Sequence, residues 1–313
     1  MPCYHPRNVV RSWARPNKVS GKPIIFFGKS AQKFYNFCTS SKEHFRFYRP
    51  EVFQVPGCKP KCVGCQEIYS RQWAVRAWHE AQLHEQNCFI TLTFSDKFLP
   101  KELDHFIFQK FMKRFRRSIS QPVSFFMAGE YGSLNFRPHF HACIFGFDFS
   151  DRVLWSVRDG VNLYTSQLLS SLWSDVKTGE SYGFTSVGDV TFESAAYIAR
   201  YVGKKAGRSV AELDGRKPEY SKCSLKRPIG KGWISAYVDS VYPDDAVTLV
   251  DGRKCKPPRY YDRFLSLTNE NLSFIISSRR KQKMKSSVDN TPERLRERES
   301  VKQAQLAQLK RSL

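Results

Sequence analysis

Residues 137–147, RPHFHACIFGF, constrain the fold more than any other part of the chain. Apolar and aromatic residues dominate the run, and its polar positions alternate, which predicts a strand. Side chains two apart on a strand point the same way, so His139 and His141 face one layer while Phe140 enters the other. Residues 124–130 read as a preceding strand, followed by a loop containing Gly132, Asn135 and Pro138. Hairpin pairing is the simplest connection, and it brings Glu130 back beside His139. Residues 88–94, CFITLTF, predict a third strand with Thr91 and Thr93 on one face and Ile90, Leu92 and Phe94 on the other.

Helices are expected between these strands. Residues 65–85 have few breakers and mixed faces. Residues 103–118 are amphipathic, with Ile107, Phe108, Phe111 and Phe115 on one side and Lys110, Lys113, Arg114, Arg116 and Arg117 around the rest. Those cations are either a solvated face or a DNA-facing one. A helix over 164–176, a short strand over 184–187 and a helix over 192–205 ending near Gly207 follow. Before them, residues 1–66 read as irregular, with strand-like pieces at 33–38 and 43–48. Beyond them, residues 208–270 read as irregular with short strands. The tail changes character at Ser277 into SSRRKQKMKSS, which is expected to be disordered or partly helical, with Thr291 and Pro292 opening a last polar helix. The domain expectation is therefore an N-terminal extension at 1–66, a core at 67–207, a C-terminal extension at 208–270 and a basic tail at 271–313.

Fifty-one Lys and Arg against twenty-nine Asp and Glu give a net charge of +22, which favours a polyanionic partner such as DNA or RNA. No segment approaches the roughly 20 apolar residues of a membrane span, and the first residues lack the apolar run of a signal peptide. Nine cysteines, an odd number, suit a reducing cytoplasm and leave some for metal. Cys58, Cys62 and Cys65 have near-ligand spacing for a structural zinc, with Cys3 or His5 as a fourth donor; reduced cysteines in a basic loop are the alternative. FGKS at 27–30 lacks the first glycine of a phosphate loop, since Pro23 stands there, so no ATPase domain is expected.

Two imidazoles and the Glu130 carboxylate make a ligand set that leaves positions open on an octahedral divalent ion for a phosphate oxygen and water. Two exposed histidines beside a turn carboxylate are the alternative. In ESAAYIARYVGKK, Tyr197 and Tyr201 share one face of the expected helix, with Lys204 and Lys205 continuing it. A phenol becomes a useful nucleophile only when a cation stabilises its phenolate. Packing of these tyrosines against the sheet is the simpler reading of the helix taken alone.

The ordered set FITLTF, RPHFHA and YxxxYVxKK resembles the three motifs of the HUH endonucleases, the two-tyrosine rolling-circle replication initiators. MPCYHP, SRQWAVRAWHEAQLHEQNCFITLTF, GEYGSLNFRPHFHACIFGFDF, FESAAYIARYVGKK and KCKPPRYYD resemble most closely the initiators of small tailless single-stranded DNA phages, the gokushovirus branch of the Microviridae. The likeness covers most of residues 1–263. It implies an α+β, ferredoxin-like core with a central antiparallel sheet. It also implies Mg2+ or Mn2+ at His139 and His141 with Glu130 as an acidic third ligand, nucleophiles Tyr197 and Tyr201, and family lysines at Lys204 and Lys205. The implied cycle nicks the plus strand at the double-stranded replicative origin in the bacterial host cytoplasm, through a 5′-phosphotyrosine, and closes the released strand into a circle. With no ATPase domain expected, host helicase and DNA polymerase would be partners, and Arg137, Lys204, Lys205, Arg259 and the 110–117 face are expected DNA contacts. The rival expectation is a non-catalytic, basic single-stranded DNA binding or packaging protein.

Overall fold

The computed structural model describes residues 3–12, 14, 23–55, 57–58, 62–132, 135–158, 160–204, 215–285 and 291–308, with backbone alone at 201–204 and 284–285. In chain order the elements are β1 (Arg7–Ser12), β2 (Ile24–Phe27), α1 (Gly28–Thr39), α2 (Lys42–Tyr48), β3 (Glu51–Val55), α3 (Val63–Ala81) and β4 (Asn87–Leu92). There follow α4 (His105–Ser118), β5 (Ser124–Tyr131), β6 (Pro138–Phe145), β7 (Val153–Arg158), β8 (Val161–Thr165), α5 (Gln167–Leu172), β9 (Thr185–Gly188) and α6 (Phe192–Lys204). The last are β10 (Tyr220–Cys223), α7 (Lys231–Val241), β11 (Val247–Thr248), β12 (Lys254–Cys255), α8 (Arg259–Thr268), α9 (Glu270–Lys285) and α10 (Pro292–Gln308). They form two compact units, Met1–Cys65 with Val288–Leu309, and Gln66–Ser287 with Lys310–Leu313.

The first unit holds a three-stranded antiparallel sheet in the order β2-β1-β3, on which α1 packs. The strand-like segments expected at 33–38 and 43–48 are helical. Ala31, Phe34 and Cys38 recur at helical rather than strand spacing, and Ala31 and Cys38 are buried. Ser41 caps α2 by accepting from the His44 amide, and Arg49 closes it in a left-handed conformation. The aromatic content of these short segments mimics a strand; the caps and the spacing decide otherwise.

The second unit is built on a seven-stranded antiparallel sheet in the order β10-β5-β6-β4-β9-β8-β7. Alternation divides its residues between two layers. Ile90, Leu92, Met127, Phe140, Ala142 and Ile144 pack with Phe108, Phe111, Met112 and Phe115 of α4 and with Leu169 of α5. Burial of each such large side chain contributes about 1.5–3 kcal/mol. Asp104 starts α4 by accepting from the Phe106 amide, and Ser166 starts α5 by accepting from the Leu169 amide. On the opposite face Phe126, Ala128, Cys143 and Phe145 meet Ala74 and Ala77 of α3 and Ala195, Ile198 and Ala199 of α6. The fold is thus mixed α and β, with a central antiparallel sheet flanked by helices.

Two expectations need correcting here. Tyr164 lies in β8, and the helix expected over 164–176 shrinks to α5, because 153–165 fold as a hairpin at the sheet edge. The stretch 208–270, expected to be irregular with short strands, does hold the short strands β10, β11 and β12 in its described part, but also α7 and α8, which with α9 bury Val75, Ile234, Val241, Tyr242, Tyr261, Leu265 and Ile276 in a third core. Gly230 begins α7 at φ 76°, and an added Cβ would lie 2.7 Å from the Tyr261 hydroxyl. The basic segment after Ser277 runs in α9, and α10 opens at Pro292 with the Thr291 carbonyl accepting from the Leu295 amide. Among the described residues no helix is long and apolar enough to cross a membrane.

Candidate metal and nucleophile site

The β5–β6 ladder builds the site. Glu130 is registered directly opposite His139, and His141 opposite Ala128. All three polar side chains belong to the α3–α6 face of the sheet, since Tyr131 and Phe140 beside them pack into the other layer. The hairpin expectation therefore holds, and it places one ligand atom from each of Glu130, His139 and His141 within 4.8 Å of the others.

Their contacts converge on one atom. Glu130 Oε1 lies 2.9 Å from His139 Nε2, 2.8 Å from His141 Nε2, and accepts from the Tyr197 hydroxyl at 2.7 Å. The other oxygen, Oε2, is buried without a hydrogen-bond partner among the described residues. On the far side of each imidazole sits a positioning group. His139 Nδ1 is 3.0 Å from the Arg137 carbonyl, and His141 Nδ1 is 2.9 Å from Thr91 Oγ1. A carbonyl only accepts, so His139 Nδ1 carries its proton and, in the neutral ring, Nε2 presents a lone pair. A lone pair facing a carboxylate oxygen repels it unless a proton or a cation lies between. The donor set, with its unpartnered Oε2, fits a divalent cation.

Electrostatics agree with that reading. Burial pushes the Glu130 carboxyl up, but the bonds from His139 and His141 outweigh it and hold it well below the usual carboxylate range. Burial lowers both histidines; at His139 the Glu130 bond and charge win and its pKa rises, whereas His141 remains lowered. The side chains of His139 and His141 keep 17% and 12% exposure against 2% for Glu130, so a ligand can reach the ion position from the histidine side.

Tyr197 reaches the site because Ala195, Ile198 and Ala199 seat α6 against the sheet. Its ring meets His141 edge-on at 5.1 Å, and the Arg200 guanidinium lies 5.4 Å over its ring. Tyr201 and Lys204 lie in α6, with side chains outside the described residues, and Lys205 lies outside them altogether. Arg137 is engaged rather than open: it pairs with Asp96 and donates to the Phe94 carbonyl at 2.8 Å. On α4, Arg114 donates to the Leu172 carbonyl and Lys110 lies over Phe106, so the basic face is partly spent on packing. Thr91 and Arg200 are missing from the sequence reading of the site. Thr91 was legible as a polar position in FITLTF, but its role depends on the β4–β6 register, which sets it opposite His141.

Residues 87–206 match the family described as Replication-associated protein ORF2/G2P, a span that contains β4, both histidines, Glu130 and α6. Over 211 residues the chain is 33% identical to the Replication-associated protein VP4 of Bdellovibrio phage phiMH2K, covering 64% of each chain. Over 219 residues it is 30% identical to the Replication-associated protein ORF2 of Spiroplasma virus 4, covering 65% of each. The chain is related to phage replication-associated proteins. A third relative, the Replication-associated protein ORF4 of Chlamydia phage 1, is 27% identical over 242 residues, which make up 73% of this chain and 58% of that one. The chain thus spans slightly under two thirds of the length of the relatives it matches. No solved structure matches it.

Proposed function

We propose that this chain is a metal-dependent enzyme that nicks and rejoins single-stranded DNA to initiate rolling-circle replication of a small phage genome of the gokushovirus type. The observation that carries the reading is the meeting of a phenol and two imidazoles on one buried carboxylate oxygen. A nuclease core at 67–207 accounts for these groups, and the order β5-β6-β4-β9, with α4 and α5 on one face, supports a ferredoxin-like reading of it. The net charge of +22 suits a DNA partner.

His139, His141 and Glu130 would hold the ion; Mg2+ or Mn2+ there would draw charge from the scissile phosphate and favour the phenolate. The Arg137 carbonyl and Thr91 keep each Nε2 aimed at it. Tyr197 attacks phosphorus, the P–O3′ bond breaks, and the leaving oxygen gains a proton to become a 3′-hydroxyl. The phenol proton passes to water, since Glu130 is held ionised too firmly to be an effective base. Arg200 adds positive field at the ring. Tyr201, one turn along α6, performs the second transesterification, with Lys204 and Lys205 balancing phosphate charge. The cycle runs at a double-stranded origin in the bacterial host cytoplasm, with host helicase and polymerase supplying unwinding and extension.

The test incubates the purified chain with labelled single-stranded oligonucleotides tiling the genome that encodes it, with and without Mn2+. The expected result is a denaturation-resistant adduct that requires Mn2+, is abolished in His139→Ala and in the Tyr197→Phe/Tyr201→Phe double variant, and persists in one single variant. Tight binding with no adduct on any strand would overturn the reading in favour of a binding or packaging protein.

A further inference from the structure

The first unit is poorly provided with core. Among its described residues the buried side chains are mostly small, such as Val9, Val10, Ala31 and Cys38, with Tyr4 and Leu295 as larger exceptions, while Ile24, Ile25, Phe27, Phe37, Phe45, Phe47 and Val52 are exposed. A thin core of this kind gains from a staple beyond hydrophobic burial. Cys3, Cys58, Cys62 and Cys65 provide the donors for one. Their sulfurs all lie within 4.8 Å of one another, with Cys3–Cys62 and Cys58–Cys65 each at 3.9 Å.

We propose that these four thiolates hold a tetrahedral structural Zn2+ that ties the segment before β1 to the start of α3. The spacing fits a single four-coordinate ion. Two sulfurs at about 2.3 Å from one zinc, subtending a tetrahedral angle, are roughly 3.8 Å apart. A disulfide needs roughly 2.05 Å, and all four cysteines are free thiols. An iron–sulfur cluster, with several irons between its thiolates, would hold them further apart. Soft thiolates also discriminate against the hard ions suited to the Glu130 site.

Backbone amides and a helix N-terminus face the sulfurs. Cys62 immediately precedes α3 and Cys65 lies in its first turn, where the helix N-terminus favours anions. The Tyr4 amide donates to Cys62 Sγ at 3.4 Å and the Cys62 amide to Cys58 Sγ at 3.0 Å, which offsets thiolate charge. The fourth donor is Cys3. His5, the other candidate from the sequence, is paired with Glu299 at 2.6 Å. Leu295 of α10 closes over the cysteines as their apolar cover. The family match at 87–206 does not reach any of these residues, so the zinc site stands independently of the nuclease reading.

The full-length chain, dialysed against a weak chelator, is expected to carry one zinc per chain by plasma mass spectrometry. Exchange with Co2+ should give the charge-transfer and visible bands of a tetrahedral four-thiolate site. Cys3→Ser should lose zinc affinity at least tenfold, Cys3→His should restore a spectrum of three sulfurs and one nitrogen, and Cys38→Ser and His139→Ala should leave zinc content unchanged. Wild-type stoichiometry and its cobalt spectrum decide the matter even if Cys3→Ser does not fold. A metal-free or iron-bearing wild-type chain, disulfides between these cysteines by mass spectrometry, or an unchanged cobalt spectrum in Cys3→Ser would overturn the proposal.

Discussion

Thr91→Val isolates the part of the site that orients a ligand without being one. The substitution keeps the shape of the β4 side chain and deletes the hydroxyl 2.9 Å from His141 Nδ1. When His141 Nε2 is a ligand, Nδ1 carries the proton and Thr91 accepts it. The His141 side chain is only 12% exposed, so water is a poor substitute, and leaving that N–H unpaired costs roughly 1–3 kcal/mol. Loss of such an outer partner weakens metal binding by about 10–100-fold. That equals roughly 1.4–2.8 kcal/mol, the range expected from the unpaired donor. Mn2+ affinity measured by calorimetry, and the Mn2+ concentration giving half-maximal adduct, should both shift by about 10–100-fold in the variant. Saturating Mn2+ should restore the adduct. If half-saturation stays within about twofold of wild type while His141→Ala raises it sharply, Thr91 does not orient the imidazole and the reasoning from tautomers fails.

Two further outcomes concern stability. His79 is buried, stacks on Trp233 at 3.5 Å, sits 2.9 Å from the Tyr261 hydroxyl, and is lowered by burial to about 3. Because the unfolded imidazole titrates near 6.5, the unfolded state takes up the proton first. Stability is therefore full above about pH 6.5 and declines as pH falls toward the folded pKa, by roughly 2 kcal/mol at pH 5. Thermal melts from pH 7.5 to 5 should show this slope, and His79→Gln should flatten it; an unchanged slope in the variant would refute the assignment. Gly183→Ala would put a Cβ 2.6 Å from the Thr93 carbonyl oxygen and 2.7 Å from the Phe94 Cα, all backbone. Such overpacking costs roughly 1–3 kcal/mol, so the melting temperature should drop by several degrees; a variant as stable as wild type would show that the 183–185 segment has room to move.

The strand-borne half of the site was legible in the sequence because a strand's period of two is a local property. RPHFHA fixed which layer His139 and His141 share, and the turn residues between 131 and 138 were enough to fold Glu130 back against them. Thr91 needed long-range information: nothing local says that β4 pairs with β6 rather than with another strand. The helices α1, α2, α7 and α8 were missed for a different reason. Their aromatic content scores as strand, and short helices rest on caps such as Ser41 and Gly230 more than on a long periodic face. The β7–β8 hairpin does carry a local signal, Asp159-Gly160 between apolar alternating runs. The choice of Cys3 over His5 as fourth thiolate partner depends on where Glu299 falls, some 294 residues away.

The three candidate metal donors sit on two neighbouring strands whose pairing runs unbroken from Ser124–Phe145 to Tyr131–Pro138. Such an arrangement responds very differently to two kinds of genetic change. Replacements between the last rung and Arg137 leave the ladder untouched, whereas Arg137, whose carbonyl meets His139 Nδ1, belongs with the part that must be kept. A one-residue slip within the ladder turns both imidazoles into the α4 layer at once, with no partially active intermediate. The hairpin therefore separates what evolution or an engineer can vary gradually from what must be inherited whole.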